Sequence, residues 1–129
     1  VTKVGWVGGT AMMVARPCLE EIGSFDPAIF MYGEDVDLCW RATQRHWDVA
    51  ITSEAQVIHF GSASSSKKNA ILGEIAGLVY LWEKHHSRAE LRLLKLILRF
   101  GLHWRSLIFG ILHRYGQQRI YREALALVR

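Results

Sequence analysis

Ile29-Phe30-Met31-Tyr32-Gly33-Glu34-Asp35-Val36-Asp37-Leu38-Cys39-Trp40-Arg41 decides how this chain is read. Glu34, Asp35 and Asp37 crowd together directly behind an aromatic and apolar loop, and Arg41 and Arg45 follow further on. Acidic residues in a first turn and basic residues in a last turn complement the helix dipole, so the pattern predicts a helix over residues 34–45. Asp37 and Arg41 stand four apart, the spacing of an ion pair on one helix face. Trp40 lies on a face related to that of Val36 and Thr43, which predicts a packing role for its ring.

Upstream, Pro17 opens a short helix that runs through Ile22 and stops at Gly23, and Asp26-Pro27 marks a turn. Residues 4–15 are small and apolar around Gly8-Gly9, which suits a strand or turn where backbone approaches another group closely. Downstream, residues 47–52 and 55–60 are short strand candidates, and the serine-rich residues 61–68 read as a mobile loop. From Asn69 onward the pattern is helical, in three or four segments broken around residues 85–87, Gly101 and Gly116.

With 129 residues, half of them apolar and five of them Trp, the chain can form a modest domain with a real core and is not intrinsically disordered. Cys18 and Cys39 make neither a disulfide framework nor a C-x-x-C pair, which fits a reduced, cytosolic setting. The opening Val-Thr-Lys-Val-Gly-Trp has no initiator Met and no signal-peptide layout, and it reads as the start of an excised piece. Charge is unevenly spread: residues 1–82 carry a net −3 and residues 83–129 a net +7.

Four motifs in order, Trp6-Val7-Gly8-Gly9, Ile22-Gly23-Ser24-Phe25-Asp26, Tyr32 to Arg41 and His59-Phe60-Gly61-Ser62, resemble the acceptor-side half of family 2 glycosyltransferases, close to the rhamnosyltransferase-like branch. The resemblance covers roughly the first half of the chain. It implies an α/β fold: residues 1–68 as the C-terminal, acceptor-side part of a GT-A nucleotide-diphospho-sugar transferase domain, and residues 69–129 as an α-helical, amphipathic basic tail. The nucleotide-binding N-terminal half, with its Asp-x-Asp metal motif, is absent from this sequence, and Asp35-Val36-Asp37 belongs to the base motif instead. The implied activity is inverting transfer of a sugar from a nucleotide-diphosphate donor to a saccharide or lipid-linked glycan, in cell-surface polysaccharide synthesis. The piece alone is expected to be inactive.

Such a transfer needs a base for the acceptor hydroxyl proton, a polarised diphosphate leaving group and an aligned sugar carbon. The family's base, the second acidic residue of its Glu-Asp pair, maps onto Asp35, and Glu34 would orient the pair or bind acceptor hydroxyls. Gly8 and Gly9 would border the acceptor pocket, where a missing Cβ lets a sugar ring lie on the backbone. Trp6, Phe30 and Tyr32 are platforms for a sugar's apolar face or core residues, and Arg41 either reaches the donor diphosphate or pairs with Asp37. His59 would help coordinate the Mg²⁺ or Mn²⁺ that the intact parent holds on that diphosphate. Three positions depart from the family pattern: Ser24 replaces the second glycine of a Gly-Gly-Phe-Asp turn, His46 stands where glycine is usual, and Ser53 where proline is common.

In the tail, Arg88, Arg92, Lys95, Arg99 and His103 recur at spacings of four, three, four and four, among Leu, Ile and Phe. One basic stripe on a largely apolar helix fits attachment to an anionic membrane surface at the cytoplasmic leaflet, and equally packing on the catalytic domain with the charges solvated. The apolar content argues against nucleic acid as the partner, and the charges argue against a spanning helix. The rival to the enzyme reading is a noncatalytic membrane-associating or partner-binding module in which the acidic cluster only starts a helix.

Overall fold

The computed structural model describes residues 1–60 and 66–129. The chain divides into two compact units, Val1–Ala63 and Ser64–Arg129. The expected serine-rich loop and the Gly61-Ser62 end of the fourth motif lie largely outside the described residues.

The first unit runs β1 (Thr2–Lys3), a 3-10 turn (Gly9–Ala11), α1 (Arg16–Ile22), α2 (Glu34–Gln44) and β2 (Ala50–Ile51). The strands pair antiparallel, Thr2 opposite Ile51 and Lys3 opposite Ala50. A further Val4 N–H to Val49 O bond of 2.9 Å and a Lys3–Asp48 ion pair of 2.7 Å extend the contact. Pro17 sits in the first turn of α1, and Gly23 closes the helix at φ 80°, donating its N–H to Leu19 O. This left-handed residue is where glycine has no steric penalty. Asp26 Oδ1 then accepts from Ala28 N–H at 2.9 Å, folding the expected turn. Cys18, Ile29, Leu38, Cys39 and Ala42 form the buried apolar set between α1, α2 and that turn.

Residues 52–60 contain no strand and are exposed, although residues 55–60 look like one in sequence. A strand exists only when a neighbour takes its N–H and C=O groups, and none does so among the described residues. Trp40 also departs from expectation: it is 37% exposed, on the outer side of a helix whose buried residues are Asp37, Leu38, Cys39 and Ala42.

The second unit comprises α3 (Lys67–His85), α4 (Arg88–Ile111), α5 (Tyr115–Ala124) and a closing 3-10 turn (Leu125–Val128). Its core is Val79, Leu102, Tyr121, Ala124 and Val128, flanked by Ile71, Ile75, Leu91, Leu98 and Phe109. Phe109 and Tyr121 stack with ring centroids 5.4 Å apart. Ser66 caps α3, and Ser87 with Glu90 forms a reciprocal capping box on α4. The Ser87 hydroxyl and backbone N–H bonds hold the Glu90 carboxyl below its usual range. Gly101 does not break α4, and Gly116 lies inside the first turn of α5. A single helical glycine costs only about 1 kcal/mol, less than the flanking leucines gain by packing. The break falls instead at Leu112–Arg114, where His113 takes φ 54°. No described helix is long and apolar enough to cross a membrane.

Candidate active site around Asp35

Two left-handed residues, Tyr32 at φ 71° and Gly33 at φ 109°, turn the chain into α2. For a bulky side chain such as Tyr32 this backbone is strained, and strain of this kind gathers where a chain must present something in one orientation. The residue presented is Asp35, half-buried in the first turn of α2. Its Oδ2 accepts from Gly9 N–H at 2.9 Å, across 26 residues, and its Oδ1 accepts from Val36 N–H at 2.8 Å. Two backbone donors thus fix the carboxylate plane, while each oxygen keeps lone-pair capacity for another donor. The first motif and the third therefore meet at one side chain.

Gly8 and Gly9 line the approach to it. Neither has a positive φ, so glycine is not needed there for backbone freedom. What it supplies is space: a Cβ on Gly9 would sit 3.6 Å from Asp35 Cβ and 3.8 Å from Oδ2, and one on Gly8 would sit 4.0 Å from Oδ2.

The neighbouring carboxylates have different surroundings. Glu34 Oε2 is buried and has no hydrogen-bond partner among the described residues. A buried acceptor without a protein donor keeps its capacity to accept a hydrogen bond. Asp37 is fully buried, takes Arg41 Nε at 2.8 Å on Oδ2, and donates its N–H to Gly33 O. Arg41 also donates through Nη1 to Ile22 O at 2.5 Å and through Nη2 to Ser24 O at 2.8 Å, closing the exposed end of α1. Three guanidinium nitrogens are thereby engaged within the fold, so Arg41 serves as a strut between α1 and α2. Sequence spacing shows the Asp37 pairing but gives no signal for the carbonyl contacts, which span 17 to 19 residues.

The remaining candidates make no hydrogen bond to Asp35 among the described residues. Trp6 is 55% exposed, three residues before Gly9, and Phe30 is almost wholly exposed. His59 is exposed and makes no hydrogen bond or ion pair with the Asp35 cluster among the described residues. No three His, Cys, Asp or Glu side chains come together to hold a metal ion among those residues. The residues present therefore do not form a divalent-cation site by themselves. Cys18 is buried, and that burial first, then nearby Glu21, pushes its thiol pKa up, which leaves it a poor nucleophile.

Comparison with known proteins bears on what this carboxylate does. Over 67 residues the chain is 36% identical to N-acetylglucosaminyl-diphospho-decaprenol L-rhamnosyltransferase of Mycobacterium tuberculosis, in strain CDC 1551 / Oshkosh and in strain ATCC 25618 / H37Rv alike. The similarity is to a glycosyltransferase. It covers 52% of this chain and 22% of each relative, so the chain spans less than a quarter of the proteins it matches. No family model matches the chain. No solved structure matches it.

Proposed function

We propose that this chain is the acceptor-side portion of an inverting, family 2, GT-A-type glycosyltransferase, and that Asp35 is its catalytic base. The observation that carries the reading is the Gly9 N–H bond to Asp35 Oδ2, which sets a carboxylate, oriented by backbone alone, against a pair of glycines that leave its face open. The relatives' name speaks of an L-rhamnosyl group and an N-acetylglucosaminyl-diphospho-decaprenol acceptor, and in this reading the chain serves transfer of a rhamnosyl or related hexosyl group from a nucleotide-diphosphate donor to a saccharide or lipid-linked glycan. Donor binding belongs to parts of the full-length protein beyond this chain, and the chain alone is inactive in this reading.

In the reaction, the acceptor hydroxyl lies over Gly8 and Gly9 within hydrogen-bond reach of Asp35. As its oxygen bonds to the anomeric carbon, the bond from that carbon to the diphosphate oxygen breaks, and the nucleoside diphosphate leaves with the electron pair. The hydroxyl proton passes to Asp35. Glu34 Oε2, which lacks a donor, accepts a second acceptor hydroxyl and fixes the ring's rotation. Tyr32 and Trp6 offer the sugar's apolar face an aromatic surface. Arg41 acts only through the fold, by holding α2 against α1. A Mg²⁺ or Mn²⁺ ion on the donor diphosphate would take His59 as at most one ligand, with the others supplied from outside the described residues.

The test is Asp35→Asn in the full-length protein, assayed for sugar transfer and for donor binding. Transfer is expected to fall by at least about a thousandfold, within the range for loss of general base catalysis, while donor affinity holds. Near-normal turnover would remove Asp35 as the base.

A further inference from the structure

α4 has two apolar faces, and the bundle uses only one. Leu91, Leu98, Leu102 and Phe109 point into the core of the second unit. On the other side Leu93, Leu96, Ile97, Phe100, Trp104, Leu107, Ile108 and Ile111 are all exposed, Phe100 at 74%. At 3.6 residues per turn these side chains fall within an arc of about 120° that runs for about 27 Å. Between Leu93 and Ile111 no charged residue enters that arc; Lys95, Arg99, His103 and Arg105 all fall outside it. A contiguous apolar patch of this extent is a contact surface on a soluble chain.

Charge selects the occupant. Along one edge of the arc stand Arg88, Arg92 and Arg99, with His103 beside them, and none of the three arginines has a carboxylate partner among the described residues. They also line a cleft with Lys95 and Arg129, where Glu83 is the one acidic side chain. The only carboxylate of α4, Glu90, is bound up in the Ser87 cap. Apolar side chains flanked by unpaired guanidinium groups match a surface whose interior is hydrocarbon and whose rim is phosphate. A second copy of the chain meets this poorly, since pairing two arcs sets arginine rows near each other with no acidic stripe to answer them. A nucleic acid would use the arginines and leave the apolar arc in water.

We propose that α4 lies flat in the headgroup region of an anionic bilayer, with Leu96, Phe100, Trp104 and Leu107 at the acyl boundary and Arg88, Arg92 and Arg99 on lipid phosphates. The arc is too short and too one-sided to span, so the association is peripheral. This inference stands on the second unit alone and does not require Asp35 to be a base.

The test is sedimentation of the full chain with phosphatidylcholine vesicles and with the same vesicles doped with phosphatidylglycerol. Binding is expected with the doped vesicles, weakening as salt rises, and far less with phosphatidylcholine alone. Replacing both Arg92→Gln and Arg99→Gln should weaken it roughly thirtyfold, at the usual contribution of each basic residue near such a surface. Phe100→Gln with Leu96→Gln, both exposed positions, should abolish binding while helical circular dichroism is unchanged. Asp35→Asn should bind vesicles as the parent chain does, which separates this test from that of the catalytic reading. The proposal is overturned if doped vesicles do not carry the chain down, or if the Phe100→Gln, Leu96→Gln variant still binds. It is equally overturned by a dimer in light scattering that Phe100→Gln disperses, or by tighter retention on random RNA than on the doped vesicles.

Discussion

Gly9→Ala separates an architectural glycine from one that keeps a site open. Gly9 opens a 3-10 turn without a positive φ, so alanine fits its backbone. The added methyl would rest 3.6 and 3.8 Å from Asp35 Cβ and Oδ2, ordinary contact distances, and the Gly9 N–H bond to Oδ2 is kept. Folding stability should therefore hold or rise by about 0.4–1 kcal/mol, the usual gain from a less flexible unfolded chain. Access to the carboxylate should suffer. With the methyl 3.8 Å from Oδ2, a hydroxyl oxygen about 2.8 Å from Oδ2 is barred from a cone of roughly 60° half-angle around the methyl direction. Displacing the acceptor by about 1 Å costs on the order of a hundredfold in rate. Thermal unfolding of the chain and sugar transfer by the full-length protein measure the two halves of the prediction. Unchanged transfer in a stably folded Gly9→Ala protein would refute the claim that acceptor approaches Asp35 over this glycine.

Two further substitutions address the scaffold. Arg41→Lys leaves one ammonium to serve Asp37 Oδ2 and the Ile22 and Ser24 carbonyls, which the guanidinium fork reaches together; breaking this strut against a fully buried Asp37 should cost about 3 kcal/mol, read by denaturant unfolding. Full stability with weakened donor binding would return Arg41 to the substrate-binding role that its motif also allows. His46→Gly should stabilise the chain by about 1 kcal/mol, because His46 is exposed and held at φ 65°, where a Cβ crowds the backbone. A loss of stability in that variant would show that the His46 side chain makes a contact that outweighs the strain.

Legibility followed the range of the interactions. α1 and α2 were readable because their signals are local: Pro17 and Gly23 at the ends of one, acidic residues and Arg41 along the other. The departure at His46 was readable too, as a position where the resemblance leads one to expect glycine and this chain holds histidine in a left-handed turn. Residues 55–60 were misread because a short apolar run fits a strand, whereas a strand's existence depends on a partner edge. Gly101 was misread as a break because propensity was weighed without the packing of Leu98 and Leu102 on either side. The Gly9 to Asp35 bond has no sequence signature of its own. The resemblance set Gly8-Gly9 at the border of an acceptor pocket and Asp35 as its base, but it did not foresee the bond between them.

Within the acidic cluster, each carboxylate has its own surroundings, and helix geometry explains the division. Asp35 and Asp37 are two residues apart, about 200° around α2, so they cannot face the same way. When Asp37 is drawn into the interior by Arg41, the rotation of α2 is fixed and Asp35 is turned to the Gly8-Gly9 side. Because Arg41 also grips the end of α1, that rotation is referenced to a second helix and does not rest on one pair alone. Asp35, by contrast, is held by two backbone N–H groups and has no ion-pair partner among the described residues, the surroundings that the proposed role as base calls for. The buried pair is thus the device that aims the open carboxylate, and a chain with Asp37 and Arg41 exchanged for apolar residues of equal volume would fold with Asp35 present but free to rotate away from its glycines.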